Sequence, residues 1–224
     1  MIALVAGCAT APHKSPDAAF QRLSSQYQEL KFGANPLEAV ALGLHRYDGK
    51  FGDYSASALQ NQTARLMEMH EHLKHFPESK LSAPWRHDIQ LLRHDAAKSL
   101  WYLNQIRAPY VNPMTYAGAL DVSIYIKRDF APLKDRTRFM TRILERTPEL
   151  FAAARANLES QLPRPFVETA ISIADGTADF LEKDIMRDVS AVAEPKILEA
   201  FRHANTRAVT ELRQYASWLN STLL

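Results

Sequence analysis

From Pro16 onward, apolar residues recur every three or four positions, the spacing of one face of an α-helix, and almost nowhere do they alternate. Phe20, Leu23, Tyr27 and Leu30 predict a first helix from Pro16 or Asp17 to about Leu30. Asn35 as cap and Pro36 in the first turn predict a short second helix carrying Leu37, Val40, Ala41 and Leu44. It runs into Gly43 to Gly52, the one glycine-rich stretch, which reads as an irregular loop. Ser55 then caps a long helix to about Phe76, with Leu59, Leu66, Met69, Leu73 and Phe76 on one stripe and Pro77 as its stop. The next starts at Ser82 with Pro84 in its first turn. It repeats Trp85, Ile89, Leu92, Ala96, Leu100, Leu103 and Ile106 before Pro109 and Pro113 end it.

Between Pro113 and Tyr125 the pattern is mixed. Val122, Ile124 and Ile126 alternate as an extended segment would, yet no partner strand is visible elsewhere, so this stretch is read as helical. Further helices are predicted from Pro132 to Arg146, from Thr147 as cap before Pro148 to about Leu158, and from Pro165 to about Val189. The last begins near Pro195 and reaches almost to the C-terminus. The expected fold is therefore all-α, an array of eight or nine helices joined by short polar loops. No repeat, low-complexity tract or linker divides residues 17–224, which read as one helical domain. The strongly patterned final helix meets Ser221-Thr222-Leu223-Leu224 without a Gly cap or proline stop. The expectation is that these residues are the N-terminal helical half of a larger, mainly α protein.

With 46% apolar and 23% charged residues the chain is of ordinary globular composition, which excludes the disordered, collagen-like and disulfide-scaffold classes. A formal charge of +2 gives no bulk reason to expect nucleic acid or an anionic membrane face as partner. No stretch approaches the roughly 20 apolar residues that cross a bilayer, so membrane contact would come only through a lipid anchor.

Such an anchor is suggested at the front. The sequence Leu4-Val5-Ala6-Gly7-Cys8 resembles the lipobox of bacterial lipoproteins, with Cys8, the single cysteine, as the lipid attachment residue. Ala11 to Pro16 then resembles the usual tether. Residues 1–16 are thus read as a truncated lipoprotein signal and tether, because six residues between Met1 and Cys8 and no basic residue before Lys14 fall short of a complete signal. The competing reading is an accidental Gly-Cys near a short apolar terminus. The lipobox reading places the protein in the bacterial cell envelope, periplasmic or membrane-anchored.

Candidate chemistry is sparse. Met69-His70-Glu71-His72-Leu73-Lys74-His75 begins like the H-E-x-x-H zinc helix, but Lys74 stands where the second ligand belongs. A histidine at i+5 lies about 140° round the helix from His70, so the pair cannot close one zinc site. His72 and His75 share a face and would need a further ligand; a solvated face is the simpler reading. His87 and His94 read as surface or helix-pairing residues. Glu168, Asp175, Asp179 and Glu182 flank one apolar stripe and could hold a divalent cation or line a cleft. Lys183 and Arg187 nearby favour a solvated flank. No G-x-S-x-G elbow, phosphate loop or nucleic-acid surface is present, and Cys8 has no base beside it.

What remains is Asn35 to Gly49 followed by Asp53-Tyr54-Ser55, where His45, Tyr47 and Asp48 cluster after a helix end. This is either a loop facing a site or a network of caps and turns. The stretch Pro36-x-x-Ala39-x-x-Leu42-Gly43-x-His45-x-Tyr47-Asp48, with the Asp53-x-Ser55 helix start, is similar to the opening of DUF885, a bacterial family of unknown function. Asn112-Pro113-Met114-Thr115-Tyr116, Ile143 to Pro148 and Leu158-Glu159 extend the resemblance, which spans nearly all of Asp17 to Leu224.

The resemblance implies a longer, exported and often lipidated protein with a gluzincin-like H-E-x-x-H helix in its C-terminal half, hence a zinc-dependent peptidase. The zinc ligands and the general-base glutamate have no counterparts in this chain, so it implies no catalytic residue, no metal ligand and no cofactor here. It implies instead one wall of a substrate cleft, with His45, Tyr47 and Asp48 as cleft-lining residues and a peptide substrate or the C-terminal half as partner. An alternative is an independent helical lipoprotein that binds a peptide or a partner protein in the envelope. A third is a small metal-binding protein using His72, His75 and one carboxylate.

Overall fold

The computed structural model describes residues 15–223, so Cys8 and its lipobox lie outside the described residues. Helix follows helix along the chain, and no strand occurs among the described residues, as the pattern predicts. The helices are α1 (Pro16–Ala34), α2 (Pro36–Ala41), α3 (Ala56–His75), α4 (Ala83–Asn104), α5 (Ala108–Val111) and α6 (Met114–Ala117). They continue with α7 (Ile124–Lys127), α8 (Leu133–Leu144), α9 (Thr147–Asn157), α10 (Arg164–Glu182), α11 (Asp184–Val189) and α12 (Pro195–Leu223).

Two apolar cores form. The smaller lies between α1, α3 and α4, where Phe20, Tyr27, Leu66, Leu73, Ile89 and Ala96 face inward. Phe20 meets Phe76 and Trp85 edge-on, each at 5.7 Å between ring centres, the favoured geometry for aromatic pairs. The larger core is organised by α10 lying along α12, with α8 and α9 against α12. Ala170, Ala174 and Ala178, spaced by one helical turn and fully buried, let the two backbones approach closely. Phe201, Ala208, Leu212 and Tyr215 fill the seam from α12.

Several boundaries depart from the pattern for identifiable reasons. Helix α1 runs a turn beyond Leu30, because that turn carries Phe32 into the larger core. Ser55 caps α3 as predicted, its Oγ accepting from the amide of Ala58 at 3.3 Å. Asn35 makes no capping bond to α2, and Thr147 donates its hydroxyl to the carbonyl of Leu144 rather than capping α9. The helix expected from Pro165 to Val189 breaks at Lys183. Asn205 of α12 donates to the freed carbonyl of Leu181 at 2.8 Å, a partner that the local sequence does not reveal. The segment from Pro113 to Lys127 is neither one helix nor a strand. It is α6, a 3₁₀ turn and α7, with the Asp121 carboxylate accepting from the Ser123 amide as a turn stop.

Candidate functional site

The loop after α2 turns on two glycines in the left-handed region, Gly43 at φ +85° and Gly49 at φ +69°, where a side chain would be strained. Between them, a 3₁₀ turn carries His45 to Tyr47. His45 stacks on Phe130 with ring centres 4.0 Å apart, and its Nδ1 lies 3.2 Å from Oδ2 of Asp48. The Asp48 side chain is only 8% exposed, and burial pushes its carboxyl above the ordinary range while His45 pulls it back. Beneath them the Tyr125 hydroxyl accepts from the Gly49 amide at 3.0 Å. Tyr47 points the other way. Its hydroxyl donates to Glu29 of α1 at 2.6 Å, beside the Arg46 guanidinium, which donates to the same carboxylate. The structure thus brings His45 and Asp48 together and turns Tyr47 toward α1.

A second arrangement was not legible as a site in the sequence. A 360 Å³ cavity opens where the two cores meet, between α1, α3, α4 and the segment from Asp53 to Tyr54. On its wall the Tyr27 hydroxyl donates to Asp95 at 2.7 Å, and the Lys31 ammonium donates to the same oxygen at 2.8 Å while standing 3.6 Å from Glu38. Burial works to raise the Asp95 carboxyl, but the bonds from Lys31 and Tyr27 outweigh it and hold the group below the ordinary range. Burial and the neighbouring carboxylate push the Tyr27 hydroxyl up. Tyr54 lines the cavity too, and burial alone pushes its hydroxyl up to about 12. At the mouth Trp101 is 55% exposed and Tyr102 42% exposed. In the sequence Tyr27 reads only as one position of the first apolar stripe; Asp95 arrives opposite it and Lys31 through the packing of α4 on α1.

The metal candidates do not assemble. His70 turns its Nδ1 inward without a partner, whereas His75 rests its Nδ1 3.0 Å from the Glu71 carbonyl oxygen at the surface. No group of three ligating side chains that could hold a metal ion occurs among the described residues, so the donors present do not fit a zinc site. Along α10, Glu168 pairs with Arg164 at 2.8 Å, and the other three carboxylates are taken by Arg213 of α12, which lies 2.8 Å from Asp175, pairs with Asp179 and reaches to 3.8 Å from Glu182. Lys183 joins Asp179 as expected, but Arg187 pairs instead with Asp184 at 3.1 Å. His87 and His94 are exposed.

Residues 36–224 match the family model of DUF885, described as a bacterial protein of unknown function. The chain belongs to DUF885. No curated protein matches it. Among solved structures, this DUF885 chain is similar to one described as "a putative lipoprotein of unknown function" from Shewanella oneidensis. That likeness has a TM-score of 0.79 at 22% sequence identity, over 90% of this chain and 37% of the other. The two share a fold, and this DUF885 chain spans 37% of the length of that protein. No helix among the described residues is long and apolar enough to cross a membrane.

Proposed function

We propose that residues 17–224 form the helical, non-catalytic wall of a substrate cleft in a longer, exported, zinc-dependent peptidase of the DUF885 family. The observation that carries this reading is the span of the match: the chain corresponds to 37% of a longer protein whose matching part shares its fold. Its own sequence contains no H-E-x-x-H helix. In this reading His45, held over Phe130 and backed by Asp48, faces the cleft. Tyr47 sets the loop against α1 through Glu29. A peptide is the substrate, and the zinc and its activating glutamate belong to the remainder of the longer protein. Lipidation of Cys8 anchors the whole at the envelope, in line with the description of the Shewanella protein as "a putative lipoprotein".

Peptide hydrolysis tests the reading. The 224-residue chain supplied with zinc is expected to cleave no peptide, whereas a longer family protein with its H-E-x-x-H helix cleaves and is silenced by a chelator. Chelator-sensitive cleavage by the 224-residue chain itself overturns the proposal. In cells, a radiolabelled fatty acid is expected to mark the protein and to be lost in Cys8→Ser.

A further inference from the structure

The cavity between α1, α3 and α4 holds charges of both signs, and they are not all matched within the protein. Its lining includes two ammonium groups, Lys31 and Lys98, and three carboxylates, Glu38, Asp53 and Asp95. Asp95 is taken up by Lys31 and Tyr27, and Asp53 accepts from the Ser55 amide at 2.9 Å. Glu38, in the first turn of α2, has only a share in Lys31, 3.6 Å away. Lys98 lies one turn along α4 from Asp95, close enough to feel its charge, and makes no ion pair among the described residues. Glu38, Lys31, Asp95 and Lys98 thus follow one another along the wall with alternating sign, and the two ends of the row are the groups least satisfied.

We propose that this cavity binds a free dipeptide, its terminal carboxylate paired with Lys98 and its terminal ammonium with Glu38. A simple anion drawn to Lys98 would also meet Glu38 and Asp95, and a simple cation drawn to Glu38 would meet Lys98. A zwitterion answers both ends of the row and adds no net charge. Lys98 stands on α4 and Glu38 on α2, the two helices that α1 packs against, so the ligand needs its charges apart. A free amino acid carries both on one carbon, whereas an extended dipeptide separates them by roughly 6–7 Å. Leu30, Leu59, Leu66, Leu103 and Pro109 supply apolar wall for its side chains. A volume of 360 Å³ lies at the small end of ligand sites and suits two residues rather than a longer peptide. The inference concerns binding by this chain alone, so it does not rest on the peptidase reading.

Calorimetric titration of the 224-residue chain at low salt tests it with four forms of one ligand: Ala-Leu, N-acetyl-Ala-Leu, Ala-Leu amide and the doubly blocked N-acetyl-Ala-Leu amide. Saturable binding of Ala-Leu is expected, weakened roughly threefold to tenfold by acetylation and likewise by amidation, since each part-exposed pair contributes modestly. Lys98→Ala is expected to erase the amidation penalty alone, and Glu38→Gln the acetylation penalty alone. Both residues are exposed and Lys31 stays held by Asp95, so both variants are expected to keep the parent helicity and melting behaviour. Failure of Ala-Leu to bind overturns the proposal, as does equal binding of all four forms. Full affinity for N-acetyl-Ala-Leu overturns it in favour of a simple anion site, and full affinity for the amide in favour of a cation site. A penalty that survives its matching variant overturns the placement of the ligand.

Discussion

The hydroxyl of Tyr27 on α1 donates to Oδ2 of Asp95 on α4 at 2.7 Å, and Lys31, one turn further along α1, donates to the same oxygen. One carboxylate thereby fastens two helices of the smaller core at the edge of the cavity. Replacing it with an amide keeps the shape but removes the charge that both donors use. Asp95→Asn is expected to cost about 1–3 kcal/mol at neutral pH, read from chemical denaturation. Because the folded carboxyl is held below its ordinary 3.8, its contribution is complete above about pH 4 and fades as pH falls through the lower, folded value. The gap between parent and variant should therefore close in acid. A gap that stays constant down to pH 2 would refute the pairing.

Asp48 behaves in the opposite sense. Burial raises its carboxyl above 3.8, so ionising it costs stability, and its favourable contribution is present at low pH and lost as pH rises through the raised folded value. Asp48→Asn is expected to melt no lower than the parent at pH 7, in contrast to Asp95→Asn. A clear drop in melting temperature at neutral pH would show that the His45 contact outweighs the burial.

Asn157 reaches across from α9 to donate to the Tyr54 carbonyl at 2.8 Å and to the Tyr116 hydroxyl at 3.0 Å. Truncation leaves a carbonyl without this donor and opens space beneath the segment that lines the cavity. Asn157→Ala is expected to lose about 2 kcal/mol of stability, a fall of roughly 4–8 °C in melting temperature for a chain of this size. A variant that melts with the parent would show that water replaces the amide without cost.

At Gly52, a methyl group would stand 2.4 Å from the carbonyl oxygen of Ala34 at the end of α1. Backbone cannot move aside as a flexible side chain can. Gly52→Ala is expected to lose about 1–3 kcal/mol, measured by urea unfolding, with the displaced loop carrying His45 away from Phe130. Unchanged stability would mean that the close approach is not maintained in solution.

The helical class of this protein is written in its local sequence. A three-to-four period in apolar positions, with Ser55 before α3 and Pro77 after it, is a local signal, because a helix is built from contacts within a few residues. The family was legible in the same way, through the order of motifs from Pro36 to Leu158. The breaks and the site were not. At the stop, the Leu181 carbonyl is met by Asn205, twenty-four positions away, and the Arg213 clasp on Asp175 joins residues thirty-eight apart. Tyr27 sits in the first helical stripe as an apolar residue would, yet it works as a hydrogen-bond donor because α4 places Asp95 opposite it. His45 and Asp48 could be picked out as a pair of polar residues in an irregular loop, but that Tyr47 between them turns to Glu29 was decided by where α1 passes. Periodicity records which face of each helix is apolar; it does not record which faces meet, and the cavity exists only where the two cores join.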